Sequence, residues 1–226
     1  ENALSIDPMN VDALWNYSIS MLRMGCSGAD IDWDRAWTMY EYRFQKGTKL
    51  DRSVGRWFGG LAPVVTVLAE QGFGDKFQFY RYLWRVREEC GGSVLVQCDK
   101  SLHDFVRMIG FEPTVEAVGV GIPACSLAWK YGFSERSDYV GGRSSTGSGI
   151  GVVWSGSKTH ANDKLRSCPP GYFKQFRDFD NVIGLNPGHE FGGIECGVDG
   201  SWMDTVSVLR GLKLVITVDT SIVHLA

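Results

Sequence analysis

Apolar residues in the first 46 positions recur at the spacing of α-helices. One face of a first predicted helix comprises Val11, Leu14, Trp15, Ser18 and Leu22. A second face with the same kind of spacing comprises Trp33, Trp37, Tyr40 and Phe44. A glycine-containing turn over residues 25–28 separates the two patterns. Residues 1–46 are therefore predicted to form a hairpin of two antiparallel helices, whose Trp and Tyr side chains serve packing.

From residue 64 the pattern changes to alternating strands and helices. Residues 64–69 form a continuous apolar run rich in β-branched side chains, which is typical of a parallel strand buried on both faces. A helical pattern over residues 77–89 follows, and the next strand is predicted at Ser93–Gln97. This order predicts an α/β domain with a parallel sheet over residues 61–140, joined to the hairpin by a linker over residues 47–60.

A second α/β domain is predicted over residues 150–226. Residues 141–149 are rich in Gly and Ser, as in flexible linkers, and we expect a hinge there. The domain is predicted to contain strands over residues 150–154, 181–185 and 214–218, with a helix over residues 203–209. The chain stops at Ala226, within the helix expected after the last strand, so we expect this domain to be truncated.

Composition and charge narrow the possible functions. The 226 residues include 23 basic and 26 acidic side chains, and no basic block marks a surface for nucleic acid or anionic lipid. The six cysteines are scattered without a CxxC pair, which favours reduced thiols over disulfides or a zinc site. There is no apolar run of the roughly 18 residues that span a membrane, and no signal peptide is recognisable. We therefore expect a soluble, cytoplasmic protein with no transmembrane segment and no nucleic-acid partner.

A glycine-rich loop over residues 70–75 follows the first predicted strand. Gly72 and Gly74 allow the backbone to approach a ligand closely, and Asp75 falls at the start of the next helix. The loop is not a dinucleotide-binding fingerprint, because Phe77 stands at the third glycine position. Two interpretations stay open: a ligand-binding loop that also includes Gln71, and an ordinary turn in which Asp75 caps the helix.

Two further polar segments follow predicted strands. The first, over residues 155–167, contains three cations, a histidine and several hydroxyl groups, the combination that clamps a diphosphate in many sites. A solvated loop without function is the alternative. Around His160 no carboxylate or cysteine stands at metal-ligand spacing, so no metal site is predicted.

The last segment begins with Asp219, Thr220 and Ser221 and marks a strand-to-helix corner. Such a corner offers backbone N–H groups and the positive end of a helix dipole to a phosphate. His224 falls on the first turn of the predicted helix. The alternatives are a plain helix cap for Asp219 and a buried, hydrogen-bonded role for His224.

Taken together, these segments resemble a single family. The motifs are Glu70-Gln-Gly-Phe-Gly-Asp75, Gly151-Val-Val-Trp154-Ser-Gly156 with Asn162-Asp163 and Arg166-Ser167, and Val218-Asp219-Thr220 with His224-Leu-Ala226. In the hairpin, Ala3-x4-Pro8 and Trp15-Asn16-Tyr17-Ser18 resemble a tetratricopeptide repeat. In this order the motifs resemble the tetratricopeptide-linked glycosyltransferases related to bacterial heptosyltransferases, which are similar to protein O-GlcNAc transferases.

The resemblance implies a GT-B fold, in which two Rossmann-like domains face each other across a cleft. The acceptor, a protein or a glycan, would contact the loop of Gln71, Gly72 and Gly74, and Asp75 would be the general base. The resemblance implies that the following residues hold a UDP- or ADP-linked sugar: Lys164, Arg166, Ser167, Asp219, Thr220, Ser221 and His224. The cations would make a metal or other cofactor unnecessary, and transfer would invert the anomeric centre. Ser221 replaces the glycine usual in heptosyltransferases, which argues against ADP-heptose.

Other functions compete with a metal-independent glycosyltransferase. The main alternative is a non-catalytic scaffold, in which the repeat helices recruit a protein partner and the α/β part binds a sugar or nucleotide. A nucleotide-sugar epimerase would act on the donor without an acceptor. A dinucleotide-dependent oxidoreductase is disfavoured by Phe77. Because the second domain is expected to be truncated, we expect weak or no turnover from residues 1–226 alone.

Overall fold

The computed structural model describes residues 2–132, 139–140, 147–160, 162–179, 181–189 and 194–226. The α-helices of this part of the chain are α1 (Asn2–Ile6), α2 (Val11–Cys26), α3 (Trp33–Tyr40), α4 (Phe73–Phe79), α5 (Leu83–Cys90), α6 (His103–Met108), α7 (Ser126–Tyr131), α8 (Asp163–Arg166), α9 (Trp202–Arg210) and α10 (Ile222–Leu225). The strands are β1 (Gly55–Arg56), β2 (Val64–Leu68), β3 (Ser93–Gln97), β4 (Glu112–Thr114), β5 (Val120–Pro123), β6 (Ile150–Val153), β7 (Val182–Gly184) and β8 (Leu214–Thr217). Short 3-10 helices cover Glu41–Phe44, Tyr80–Tyr82, Lys100–Leu102 and Pro170–Asp178.

The chain divides into two compact units. The first comprises Glu1–Gln71, Phe79–Cys98 and Glu112–Ser137, and the second comprises Gly72–Gln78, Asp99–Phe111 and Asp138–Ala226. Residues 141–146 of the predicted hinge lie outside the described residues. The domain bounds proposed from the sequence therefore stay a prediction.

In the first unit, α2 packs along α3 as the apolar spacing predicts. Both helices begin at a side-chain cap: the Ala13 N–H donates to Asn10 Oδ1 and the Arg35 N–H donates to Asp32 Oδ1, each at 2.9 Å. Trp37 is buried and presents its ring edge-on to Phe79, with 5.8 Å between the centroids. The aromatic residues of the hairpin thus serve packing, while its assignment as a tetratricopeptide repeat stays a prediction.

The sheet of the first unit has the strand order β1-β5-β2-β3-β4, and every pairing is parallel. Its central strand β2 is buried on both faces from Val65 to Leu68, as the run of β-branched residues predicts. Thr66 is the polar exception, and its hydroxyl donates to the Val118 carbonyl at 2.6 Å. Because this hydrogen bond pairs the hydroxyl, burying Thr66 leaves no unpaired polar group of its side chain in the core.

Two local predictions differ from the structure. Strand β1 lies within residues 47–60, the stretch predicted to be a linker, and pairs with β5. The helix predicted over residues 77–89 begins earlier, at Phe73, and a 3-10 turn at Tyr80–Tyr82 divides it into α4 and α5. The early start matters because it places Asp75 inside the first turn of α4.

The sheet of the second unit has the order β7-β6-β8, again with parallel pairing. Its core includes Val152, Trp154, Phe173 and Ile194. The prediction of an α/β fold with parallel sheets is therefore confirmed. Among the described helices, none is both long enough and apolar enough to cross a membrane.

Candidate functional site

The loop between β2 and α4 is held in an unusual backbone conformation. Gln71 has a φ of 56°, which is uncommon for a residue with a side chain. Its Nε2 donates to Tyr40 Oη at 2.7 Å, within the first unit. The structure thus engages Gln71 with the helical hairpin, while its role beside an acceptor stays a prediction.

Asp75 lies in the first turn of α4 and is half-buried. The Gly72 N–H donates to Asp75 Oδ2 at 3.1 Å. This bond is half of a capping box, since a carboxylate in the first turn satisfies the N–H of the residue that precedes the helix. Asp75 is therefore a first-turn residue that accepts from the residue before the helix, rather than the N-cap foreseen in the sequence, and the bond fixes one of its carboxylate oxygens in the loop.

The corner after β8 is built by hydroxyl and backbone groups. The Ile222 N–H donates to Thr220 Oγ1 at 3.4 Å, and the His224 N–H donates to the Ser221 carbonyl at 3.2 Å. Ser221 is the residue that precedes α10, but its side chain does not cap the helix, and Asp219 is exposed. Thr220, rather than Asp219, supplies the capping oxygen.

These two corners meet within the second unit. A Cβ atom built on Gly74 would lie 3.4 Å from His224 Cδ2, 3.6 Å from His224 Nε2 and 3.6 Å from Ser221 Cα. The backbone of Gly74 therefore packs directly against the imidazole and the backbone of the other corner. The structure thus brings together two motifs that lie far apart in the sequence.

The loop after β6 folds around Gly156. Its N–H donates to Ser167 Oγ at 3.2 Å, and a Cβ there would lie 2.7 Å from Arg166 Nη2. Ser167 Oγ in turn donates to Asp163 Oδ1 at 2.5 Å, a bond that lowers the pKa of the Asp163 carboxyl. Gly156, Arg166 and Ser167 thus form one local structure, whereas Lys164 is exposed on α8.

Pairing within the sheet places this loop beside the β8 corner. Val153 at the end of β6 pairs with Thr217 at the end of β8, and the Val218 N–H donates to the Val153 carbonyl at 3.0 Å. Both loops therefore leave the carboxyl edge of one sheet, the usual location of ligand sites in such folds. Ser167 Oγ donates to Asp163 within its own loop, and Thr220 Oγ1 lies 3.2 Å from Thr217 Oγ1 within the β8 corner.

Two residues at this edge were not singled out as site residues from the sequence. Asn186, after β7, is buried: its Oδ1 accepts from the Trp154 N–H at 3.0 Å and its Nδ2 donates to the Ser155 carbonyl at 2.7 Å. It therefore ties the loops after β6 and β7 together. Its position directly after a predicted strand is the signal by which the sequence could have identified it.

Trp202 is the second such residue. It opens α9, and its ring lies 5.0 Å from Phe73 and 4.7 Å from Phe77, centroid to centroid. Phe73 precedes Gly74 and is 37% exposed. An aromatic surface therefore borders the point where the two corners meet. A sequence pattern cannot find this contact, because the two rings come from elements far apart in the chain.

The polar groups near α4 include a buried cation. Lys76 is 6% exposed, and its Nζ donates to Asp99 Oδ2 at 2.9 Å. This hydrogen bond and the positive charge of Lys76 lower the pKa of Asp99. In the part of the chain that the structure describes, no group of three or more His, Cys, Asp or Glu side chains is placed to hold a metal ion.

Comparison with known proteins finds a similarity of structure but none of sequence. No protein-family profile matches the chain, and no curated protein matches it significantly. The crystal structure of TibC, a bacterial iron-containing dodecameric glycosyltransferase from enterotoxigenic E. coli H10407, is similar, with a TM-score of 0.53. The two share 13% sequence identity over 78% of this chain and 58% of TibC. The fold is thus similar to that of a bacterial glycosyltransferase, and the chain spans 58% of the length of TibC.

Proposed function

We propose that this chain holds a nucleotide-diphosphate sugar and takes part in transferring the sugar to an acceptor hydroxyl. The observation that carries the proposal is the contact of Gly74 with Ser221 and His224. Two loops that each follow a parallel strand, and that resemble glycosyltransferase motifs, meet at one point. The similarity of fold to TibC supports the same class of reaction.

In this proposal the loops after β6 and β8 bind the diphosphate. Arg166 supports the assignment, because its guanidinium makes no hydrogen bond or ion pair with the described residues, and its Nη1 and Nη2, unlike its Nε, are not buried. A phosphate oxygen would accept hydrogen bonds from these two nitrogens. Lys164 would add a second positive charge. Asp219, Thr220 and Ser221 would contact the sugar and pyrophosphate, and Ser167 would hold the loop in place.

Asp75 is proposed as the general base. Its carboxylate would take the proton of the acceptor hydroxyl while that oxygen attacks the anomeric carbon of the donor. The bond from the anomeric carbon to the phosphate oxygen breaks at the same time, and the nucleoside diphosphate leaves. A single displacement inverts the anomeric centre. Arg166 and Lys164 would stabilise the charge of the leaving diphosphate, so we propose that the reaction needs no metal.

Some parts of the proposal concern the whole protein. The helical hairpin would recruit a protein partner or the acceptor, which is a protein or a glycan. The donor would be linked to UDP or ADP, and the protein would act in the cytoplasm. The partner, acceptor and donor rest on the resemblance of the hairpin and loop motifs, and the location rests on the scattered cysteines.

Donor binding is the first test. The chain is titrated by calorimetry with UDP-, ADP-, GDP- and dTDP-sugars, with and without EDTA. We expect one donor to bind in both conditions, and Asp219→Ala to weaken binding at least about tenfold, the effect of losing one good polar contact. Asp104→Ala, which removes an exposed carboxylate of α6, is the matched control and should bind like the wild type. Binding that requires a divalent metal would overturn metal independence, and no binding of any donor would overturn the site.

The role of Asp75 needs a second test. We expect slow turnover, so release of nucleoside diphosphate is followed over long incubations. Asp75→Asn should bind the donor normally, because the amide oxygen still accepts from Gly72, but lose about 10²–10⁴-fold in rate. Equal release by the variant would eliminate Asp75 as the base. Donor binding without any release would favour the non-catalytic receptor.

A further inference from the structure

The first unit contains a cleft that shares no residue with the proposed donor site. It has a volume of about 380 Å³, within the range of small-molecule sites. Phe44, Phe58 and Trp129 form its apolar walls, and Glu41 and Arg56 form its charged base. We call it the aromatic cleft. All five residues belong to the first unit.

The base of the aromatic cleft is a network without net charge. Glu41 accepts from Arg43 Nη1 and from Arg56 Nη2, each at 2.5 Å, and the Ser126 hydroxyl lies 2.9 Å from each of its carboxylate oxygens. Arg43 is paired with a second carboxylate, Glu70. Two guanidinium groups and two carboxylates therefore neutralise each other. An anion bound to an arginine of this network would lie beside a carboxylate, and a cation bound to a glutamate would lie beside a guanidinium. The network therefore favours a neutral ligand.

Arg56 retains unused donor capacity. Both of its hydrogen bonds, to Glu41 and Ser126, come from Nη2. Its Nη1 has no hydrogen-bond partner among the described residues and, unlike its Nε, is not buried. A ligand in the cleft can therefore accept a hydrogen bond from Nη1. The ligand should therefore offer an acceptor oxygen to the base of the cleft.

The walls provide aromatic surface, part of which is covered by arginine: the guanidinium carbon of Arg56 lies 5.0 Å from the centre of the Phe44 ring and 5.6 Å from that of the Phe58 ring. Trp129 is half-buried and makes no ring–ring or cation–π contact within the described part of the chain. Phe58 is 67% exposed, and Lys130 Nζ donates to its backbone carbonyl at 2.8 Å, which anchors the backbone there. Aromatic rings that border a cavity and keep part of their surface open are typical of a binding surface. Thr38 and Gln45 line the rest of the cleft with groups that both donate and accept.

We propose that the aromatic cleft binds a neutral carbohydrate. A pyranose ring presents C–H groups, which pack on the electron-rich faces of Trp129 and Phe58. Its hydroxyl groups accept from Arg56 and exchange hydrogen bonds with Thr38 and Gln45. An aliphatic or aromatic hydrocarbon lacks the acceptor oxygen, and an ion lacks the neutrality. This site goes beyond the proposed transfer reaction and does not depend on it.

The test is saturation-transfer NMR on the whole chain with maltose, cellobiose, methyl galactoside and N-acetylglucosamine. We expect at least one to receive saturation at its ring C–H protons. Trp129→Ala should weaken that binding at least about tenfold, since a lost aromatic stack and its buried surface together exceed the 1.4 kcal/mol of a tenfold change. Phe58→Ser, at an exposed position that folding does not need, should weaken binding as well.

Trp84→Ala is the matched control, because Trp84 is an exposed tryptophan of the same unit that does not line the cleft. It should leave sugar binding unchanged. Saturation that is equal in wild type, Trp129→Ala and Phe58→Ser would overturn the proposal. So would binding of benzoate or tetramethylammonium in place of every sugar. Binding of nucleotide sugars should be unaffected by Phe58→Ser, so failure here is distinguishable from failure of the donor site.

Discussion

Arg43 and Glu70 form an ion pair that is almost completely shielded from solvent. Each side chain is 1% exposed, and Arg43 Nε donates to Glu70 Oε1 at 2.5 Å. The pair joins the helical hairpin to the loop after β2, and the Cys125 N–H donates to Glu70 Oε2 at 3.3 Å. Such a pair contributes little net stability when intact, but losing one partner leaves a charge stranded in the core.

We therefore predict that Arg43→Met destabilises the chain by about 3–5 kcal/mol, because it leaves the carboxylate of Glu70 unpaired. Urea unfolding followed by circular dichroism measures the change. Lys46→Met, which breaks the exposed pair of Lys46 with Asp12, is the control and should cost about 0–1 kcal/mol. Adding Glu70→Gln to Arg43→Met should recover part of the loss. If Lys46→Met and Arg43→Met lower the free energy of unfolding equally, burial does not make the Arg43–Glu70 pair special.

The pairing of Lys76 with Asp99 makes a pH prediction. The hydrogen bond from Lys76, and then its charge, hold the pKa of Asp99 below its ordinary value. A carboxyl whose pKa is depressed in the folded state adds stability above its unfolded pKa, and loses it as the pH falls through the folded pKa. Lys76→Met should raise the pKa of Asp99 towards that of an unpaired aspartate.

An NMR titration of the Asp99 carboxyl carbon measures this pKa. Lys100→Met is the matched control, because Lys100 is an exposed cation next to Asp99 in sequence. It should change the pKa of Asp99 less than Lys76→Met does. An unchanged pKa in Lys76→Met would show that the contact with Lys76 does not set it.

At the scale of elements, helix α9 depends on one cap. The Asp204 N–H donates to Ser201 Oγ at 3.1 Å. Because this helix places Trp202 against Phe73 and Phe77, its first turn also shapes the surface beside the proposed donor site. We predict that Ser201→Ala costs about 1 kcal/mol.

Thermal unfolding measures that cost. Ser207→Ala, an exposed serine in the middle of the same helix, is the control and should be neutral or slightly stabilising, since alanine favours helix. If both variants have the same melting temperature, the cap contributes nothing to stability.

The central elements could be predicted because burial leaves a pattern in the sequence. β2 appears as a run of β-branched residues, since this parallel strand is covered on both faces, and β3 keeps an apolar centre between polar ends. Strands β1, β4 and β5 could not be predicted: β1 has two residues, and β4 and β5 each contain a proline, which is typical of turns and strand ends. Their pairing is decided by contacts across the sheet rather than by local residue preference.

The candidate site was predictable to a different degree in each of its parts. Motifs that follow neighbouring parallel strands are expected at one edge of a sheet, which places the loops after β6 and β8 together. Gly74 follows β2 of the five-stranded sheet and His224 follows β8 of the three-stranded sheet, so this argument does not predict their contact. The sequence offered Asp219, Thr220 and Ser221 as possible caps of the last helix without choosing between them. In the structure Thr220 accepts the helix N–H, whereas Asp219 is exposed. Short polar residues compete for that role, and the local backbone decides which of them succeeds.

In the whole molecule, the two units have different proposed functions. The second unit contains Asp75, His224 and the loops at the edge of the β7-β6-β8 sheet, which we propose to bind the donor. The first unit contains the hairpin and the aromatic cleft, which we propose to bind carbohydrate. Two sugar sites in one chain suit an enzyme whose acceptor is a glycan, and the proposals are tested separately.

The corners at Gly74 and His224 are proposed to form one donor site, and NMR can test directly whether both respond to the donor. In a titration with the nucleotide sugar that binds, the Gly74 amide and the His224 ring protons should shift together and saturate at the same donor concentration. The Gly28 amide, in the exposed turn between the two helices of the hairpin, serves as a reporter away from this contact. A shift of only one corner, or of neither while the donor binds, would contradict the account.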